Sequence, residues 1–172
     1  MLTVICNEPR SLTAVQSPIP VRQPGETLIR VKRVGVCGTD LHIFTGNQPY
    51  LEYPRVMGHE FSGIVEASDE GSGLVAGDVV YVMPYISCGT CIACSKGKTN
   101  CCTRIQVLGV HCDGAFTQYL SVAHPFIHKA DGVSLDQAAM FEFLSIGADG
   151  TGADHQHPLP DRTSFSSRRR RK

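Results

Sequence analysis

Short apolar runs separated by Pro and Gly alternate with polar positions through the first two-thirds of the chain. In residues 27–36, Ile29 and Val31 fall on one face of an extended segment, and Arg30 and Lys32 fall on the other. This period of two is typical of a half-buried strand. Further β-branched or aromatic runs predict strands at residues 61–65, 79–82 and 116–122. The pattern therefore predicts a compact, mostly β domain.

A change of pattern after residue 130 predicts a helix. Ser134 and Gln137 stand at the spacing of a capping box, in which each side chain bonds the backbone of the other residue. We expect the helix to run through Phe143 and to stop near Gly147. The β domain should thus end by entering a helix.

The distribution of charge argues against nucleic acid as the main partner. The 172 residues include 16 Lys and Arg and 16 Asp and Glu, but five of the basic residues are the last five of the chain. Residues 1–167 therefore carry a net charge of −5, and an acidic body repels a polyanion. The basic end is open to two interpretations, a solvated disordered end or a nuclear signal or phosphate-binding tail.

Cysteine usage indicates the compartment. The chain has eight cysteines, no secretory leader and no apolar run of membrane-spanning length. Reduced thiols that bind metal are then more plausible than a disulfide framework. We expect a cytoplasmic location and no membrane partner.

Four of the cysteines, Cys88, Cys91, Cys94 and Cys102, follow the spacing Cys-x2-Cys-x2-Cys-x7-Cys. Thiolates two residues apart can face a common point with little backbone strain, and a fourth thiolate completes a tetrahedron. A closed tetrahedron leaves no open position for chemistry. The spacing therefore predicts a structural zinc site.

The remaining cysteines leave one alternative open at this site. Cys101 directly precedes Cys102 and could bind in its place, but adjacent side chains rarely point the same way. We prefer Cys102, because the turn-forming residues 95–100 give the chain room to return. Cys6 and Cys112 are isolated in the sequence, and we expect them to be small buried apolar residues.

A second set of residues able to bind metal is dispersed in the sequence. Cys37 lies in the segment Val-Cys-Gly-Thr-Asp-Leu-His, and His59 and Glu60 lie in Gly-His-Glu-Phe-Ser-Gly. A lone His or Cys usually belongs to a core. Here each stands at the edge of a predicted strand, beside glycines that permit close backbone approach and beside a second polar group.

At these residues the chain resembles the zinc-dependent medium-chain alcohol and polyol dehydrogenases, from about Met1 to about Gly147. Residues 58–63 are similar to the family's zinc signature, residues 37–40 to its first-ligand segment, and the four-cysteine loop to its structural zinc lobe. Asp69 departs from the pattern, because the family usually carries a small residue there, at a turn. Segments 53–60 and 108–114 look most like the sorbitol, threonine and sugar-acid dehydrogenase branch.

The resemblance implies a fold and an activity. It implies a mostly β, GroES-like, partly open β-barrel catalytic domain with short helices over residues 1–148, with a zinc-binding lobe at about residues 85–105. It further implies an NAD(P)-dependent oxidoreductase that oxidises a secondary alcohol, polyol or sugar acid. The partner would be a small hydroxyl substrate, and the full-length family members are expected to be oligomers.

The resemblance also assigns roles to residues. Cys37 and His59 would be ligands of a catalytic zinc, and Glu142 would be the third, with an exposed helix carboxylate as its alternative. Glu60 would be either an alternate ligand or a carboxylate close to the metal.

The same resemblance implies how the reaction would run. The substrate hydroxyl would lose its proton at zinc and then release hydride to the nicotinamide. Thr39 would take that proton and His42 would pass it to solvent, unless His42 is a surface or capping histidine.

The family's second domain has no counterpart in the sequence. The pattern Gly-x-Gly-x-x-Gly, which binds the pyrophosphate of a dinucleotide, does not occur in the chain. We expect the Rossmann domain to be absent, with no cofactor-binding residues for NAD or NADP and little activity in the isolated chain. A non-enzymatic zinc-binding module is the alternative, and the acidic body disfavours a zinc-ribbon that binds nucleic acid.

The last segment differs in character from the rest. Residues 149–172 are polar, rich in turn formers and without periodicity, which predicts a disordered tail. The abrupt change suggests a frameshifted or truncated product. Another reading frame past Gly147 is then expected to encode an apolar strand followed by the dinucleotide fingerprint.

Overall fold

The computed structural model describes residues 1–156 and divides the chain into two units, residues 1–142 and 143–172. The strands, numbered in chain order, are β1 (Leu2–Glu8), β2 (Ser11–Gln16), β3 (Glu26–Val34), β4 (Phe61–Ala67), β5 (Val79–Val82), β6 (Tyr85–Ile86), β7 (Gln106–Val107), β8 (Tyr119–Ala123) and β9 (Ile127–Lys129). The helices are α1 (Gly38–Thr45), α2 (Ile92–Ser95), α3 (Leu135–Ala139) and α4 (Phe141–Gln156). The described part is mostly β, as predicted.

Five strands form one antiparallel sheet in the order β8-β3-β4-β5-β9. The long strand β3 pairs on both sides, so that Ile29 lies opposite Val65 of β4 and Leu120 of β8. The four strands predicted from the sequence correspond to β3, β4, β5 and β8. The pairs β1–β2 and β6–β7 form two further sheets. The sheets do not close into a complete barrel, which agrees with the partly open barrel expected from the sequence.

One apolar core covers the inner face of the five-stranded sheet. Ile29, Val65 and Val80 are buried there, and each such side chain contributes about 1.5–3 kcal/mol through burial. Arg30 points to the opposite face, where it forms an ion pair with Glu66 at 3.4 Å. The alternation read from the sequence therefore sets which face of β3 is inside.

A second apolar cluster lies beneath α1. It contains Cys6, Ile43 and Met57, and Cys6 is fully buried. Cys112 is partly buried against the first core. Both cysteines are thus the core residues that the sequence predicted.

The helical region differs from the prediction at its end. Ser134 and Gln137 form the predicted capping box, with the N–H of Gln137 donating to Ser134 Oγ at 3.2 Å. Helix α3 ends at Ala139, and α4 then continues to Gln156, so the stop near Gly147 is wrong. Gly147 does not adopt the left-handed conformation that ends many helices.

The predicted tail is only partly described. Residues 149–156 are helical in the structure rather than disordered, and residues 157–172 of the predicted tail lie outside the described residues. Within the described part of the chain, no helix is long and apolar enough to cross a membrane.

Candidate metal centres

Cys37 lies where the chain turns from β3 into α1. It is the N-cap residue of α1, and its backbone N–H donates to Oδ2 of Asp40 at 2.9 Å. An acidic residue in the first turn also favours the helix, because the N-terminal N–H groups carry partial positive charge. Thr39 is half-buried and His42 exposed, both in α1. The start of α1 therefore holds Cys37 in a defined place.

His59 follows a segment that is held from two sides. On one side, Arg55 exchanges two backbone hydrogen bonds with Cys6 of β1, at 2.8 and 2.9 Å. On the other side, the N–H of Ala115 donates to the carbonyl of Gly58 at 2.8 Å. The backbone that leads into His59 is thus anchored by strand-like bonds on both edges.

Folding brings Cys37, His59 and Glu60 together. One ligand atom from each lies within 4.8 Å of the others. His59 is 5% exposed, and its Nδ1 is buried without a hydrogen-bond partner in the described part of the chain, 4.0 Å from Oδ1 of Asp40. A thiol, an imidazole and a carboxylate are the donor types that zinc accepts. The residues present therefore fit a zinc ion.

A second carboxylate, Glu142, lies beside this cluster. It is 3% exposed, which excludes the interpretation as an exposed helix carboxylate. Burial raises the pKa of Glu60, and the charge of Glu142 raises it further, whereas His59 lowers it. The hydroxyl of Tyr85 donates to Oε1 of Glu142 at 2.5 Å. Glu60 is therefore a member of the cluster with Cys37 and His59, whereas Glu142 is hydrogen-bonded to Tyr85 beside that cluster.

Two residues of this site were not found from the sequence. Asp40 stands three residues after Cys37, which is the spacing of a capping box and is a signal that could have identified it. Tyr85 carries no such signal, because its partner Glu142 lies far away in the chain. Burial and then the hydrogen bond to Glu142 raise the pKa of Tyr85.

The four cysteines of the predicted lobe also meet at one point. Cys88, Cys91, Cys94 and Cys102 place their sulfur atoms within 4.8 Å of one another. Cys91 caps the short helix α2, and Cys102 follows a 3-10 turn at Thr99–Cys101. Cys102 is buried, whereas Cys101 is exposed. The structure therefore groups the cysteines in the way that the sequence favoured.

Backbone N–H groups prepare this cluster for anionic sulfur. N–H groups of Thr90 and Cys91 lower the pKa of Cys88 to about 5, and those of Cys94 and Thr103 lower the pKa of Cys91 to about 7. Burial raises the pKa of Cys94 to about 11. A dication at the centre of the four sulfurs would offset that burial, because it favours the thiolate form.

A cavity of about 860 Å³ joins the lobe to the neighbouring strands. Cys88 and Asn100 of the lobe line it on one side, and Phe126 and His128 line it on another. Tyr85 also lines this cavity. Tyr85 thus lines the cavity beside the lobe and also donates a hydrogen bond to the buried carboxylate of Glu142.

Comparisons with known proteins relate the chain to a described family and to individual enzymes. Residues 23–132 match the family described as the alcohol dehydrogenase GroES-like domain. L-galactonate-5-dehydrogenase of Escherichia coli K12 is 46% identical over 86% of this chain and 44% of its own length. Sorbitol dehydrogenase of Bacillus subtilis is 35% identical over 86% of this chain and 43% of its own length.

A solved structure of an alcohol dehydrogenase is also similar to this chain. The crystal structure of a short chain alcohol dehydrogenase (rspB) from E. coli CFT073, complexed with the cofactor NADH, superposes with a TM-score of 0.82 at 40% identity. The match covers 90% of this chain and 46% of that one. The chain thus spans less than half the length of the relatives that it matches.

Proposed function

Because this chain belongs to the family of alcohol dehydrogenase GroES-like domains, we propose that it forms the zinc-binding catalytic domain of an NAD(P)-dependent oxidoreductase. The substrate would be a secondary alcohol, a polyol or a sugar acid. Two relatives support this class, since one is named a galactonate dehydrogenase and the other a sorbitol dehydrogenase. The relatives are dehydrogenases about twice as long as this chain, so the activity is proposed for a protein of their full length.

One observation carries the proposal, the grouping of Cys37, His59 and Glu60 within 4.8 Å. These residues come from the start of α1 and from the segment before β4, so that only the fold brings them together. The imidazole of His59 is buried beside Asp40 and has a ring nitrogen without a hydrogen-bond partner in the described residues. Three protein ligands leave a fourth position open, which distinguishes a catalytic zinc from a structural one.

When bound, zinc would supply Lewis-acid chemistry that acidifies a substrate hydroxyl. The chain's own residues would orient the substrate and move its proton. Thr39, half-buried two residues after Cys37, would relay the proton, accepting it at Oγ1 as its own hydroxyl proton leaves toward His42. His42, exposed one turn later on α1, would pass a proton to solvent. Buried Glu60 would complete the ligand set as a carboxylate, with Glu142 close by.

The four-cysteine lobe would hold a second, structural zinc. Four sulfurs within 4.8 Å fill a tetrahedral site and leave no position for substrate. We also propose a domain boundary near residue 148, a cytoplasmic location, and an oligomeric state for a protein of the relatives' full length.

A chimera tests the proposed function. Residues 1–147 would be joined to the part of E. coli L-galactonate-5-dehydrogenase that this chain does not cover, and formation of NADH or NADPH would be followed by absorbance. We expect oxidation of a polyol or sugar acid that needs zinc and that disappears in Cys37→Ser. A chimera that folds and binds two zinc ions but oxidises no hydroxyl substrate would favour a non-enzymatic zinc-binding module.

A further inference from the structure

Two buried carboxylates lie near one candidate metal position, and they have different partners. Glu60 is 9% exposed and Glu142 is 3% exposed. Glu60 belongs to the cluster with Cys37 and His59. Glu142 instead accepts a hydrogen bond from the hydroxyl of Tyr85 at 2.5 Å.

The electrostatics of the cluster disfavour two carboxylate ligands. Glu142 and Asp40 both place like charge near Glu60, and the sulfur of Cys37 lies within 4.8 Å of a carboxylate oxygen of Glu60. A thiolate and one carboxylate already balance the charge of a dication, so a second carboxylate ligand is not needed for neutrality. In the structure, Glu60 is the carboxylate grouped with Cys37 and His59, and Glu142 is not part of that group.

Tyr85 is suited to hold Glu142 because its own position is fixed. It lies in β6, where it pairs with Val107 of β7. Three residues later the chain reaches Cys88, whose backbone N–H donates to the sulfur of Cys102 at 3.3 Å. Strand pairing on one side and the four-cysteine lobe on the other thus restrain the backbone of Tyr85.

We propose that Tyr85 is a positioning residue that holds Glu142 outside the Cys37–His59 cluster and so reserves the third ligand position for Glu60. This rests on the proposed function, because it needs a metal at Cys37 and His59. The hydroxyl of Tyr85 occupies one oxygen of Glu142 and keeps that carboxylate paired in a place where solvent is excluded. Removing the hydroxyl would take this restraint away from Glu142.

The experiment uses Co²⁺ as the probe in the 172-residue chain, with zinc kept in the four-cysteine lobe. The absorption of bound Co²⁺ is recorded, and its affinity is measured by competition with a chelator. The absorption that disappears in Cys37→Ser belongs to the site in question. If the unmodified chain has no such absorption, the proposed function fails, and the role of Tyr85, which depends on it, fails with it.

The variants separate the two glutamates. We expect Glu60→Gln to weaken Co²⁺ binding beyond the roughly 10- to 100-fold typical of a residue that only supports a ligand. Tyr85→Phe alone should change the affinity by less than about tenfold. Combined with Glu60→Gln, Tyr85→Phe should restore at least about tenfold of the lost affinity, because Glu142 then replaces Glu60. Adding Glu142→Gln should remove that recovery.

In a chain that shows the absorption, two results would overturn the role of Tyr85 and leave the proposed function standing. One is a loss of about 10- to 100-fold in Tyr85→Phe alone, which would mark Tyr85 as the support of a ligating Glu142. The other is a recovery below about tenfold in the double variant. Tyr50→Phe, at a tyrosine that is 73% exposed, is the matched control and should leave affinity and absorption unchanged. Circular dichroism of each variant excludes unfolding as the cause of a lost Co²⁺ affinity. A recovery of affinity in the double variant cannot come from a structural defect.

Discussion

Oδ1 of Asp40 lies 4.0 Å from Nδ1 of His59. The same oxygen accepts the backbone N–H of Gly58 at 3.2 Å, and Oδ2 accepts the backbone N–H of Cys37 at 2.9 Å. One buried carboxylate thus connects both segments that supply candidate metal ligands. Asp40 is 2% exposed, so these hydrogen bonds form away from solvent. A donor or acceptor left without a hydrogen bond there would be costly.

Asp40→Asn should weaken the site formed by Cys37 and His59. An amide keeps the shape of the side chain but replaces one of its two acceptor oxygens by a donor, which faces an N–H group. We expect zinc affinity at that site to fall by about 10- to 100-fold, with zinc in the four-cysteine lobe retained. Competition with a chelator measures this. Asp131→Asn, at an exposed position, is the control, and equal affinities in both variants would contradict the role of Asp40.

The two metal centres should respond differently to loss of a ligand. Each folded chain should bind two zinc ions, measured by atomic absorption. Cys91→Ser should unfold or aggregate the lobe, because a closed zinc site contributes folding free energy. His59→Ala should remove one zinc and leave the circular dichroism spectrum largely unchanged. A single zinc per chain, unaffected by His59→Ala, would rule out the site at Cys37, His59 and Glu60.

Gly114→Ala should destabilise the segment that leads into His59. A Cβ at Gly114 would lie 2.2 Å from the carbonyl oxygen of Gly58 and 2.6 Å from that of Met57, so the backbone would have to move. We expect the free energy of unfolding in urea to fall by about 1–3 kcal/mol. Gly38→Ala has open space and should stay within about 0.5 kcal/mol of the unmodified chain. Similar stabilities of the two variants would refute the steric argument.

Asp69 should make stability depend on pH in the acid range. The N–H of Gly25, followed by the guanidinium of Arg22, holds the pKa of Asp69 below its ordinary value of 3.8. A lowered pKa in the folded state means that its contribution is complete above 3.8 and is lost as the pH falls through the folded value. We therefore expect Asp69→Asn to be less stable than the unmodified chain at pH 7, with a difference that shrinks below about pH 4.

Unfolding in urea at a series of pH values measures this difference. The candidate metal ligands are the same in both chains, so we expect loss of metal in acid to affect both alike and to cancel in the comparison. Glu70→Gln removes a charge from an exposed neighbouring residue and should leave stability at pH 7 unchanged. A stability difference for Asp69→Asn that is constant from pH 7 to pH 3 would show that Asp69 does not act through its charge.

Local patterns predicted the five-stranded sheet better than the rest of the fold. Strand β3 was recognised because Ile29 and Arg30 face opposite sides of a half-buried strand. The hairpin of β1 and β2 was not predicted, because most positions of Ser11–Gln16 are exposed and show no alternation. The helix end was misplaced at Gly147 because the sequence shows the glycine and not its backbone conformation.

The sequence by itself determined the four-cysteine lobe. Its four cysteines all lie within residues 88–102, so that short turns alone bring the sulfurs together and spacing is a sufficient signal. The tertiary structure decided how Asp40 joins Cys37 to His59 and where Tyr85 holds Glu142. These residues come from separate strands and helices, and their distances depend on strand order and packing, which no local pattern encodes.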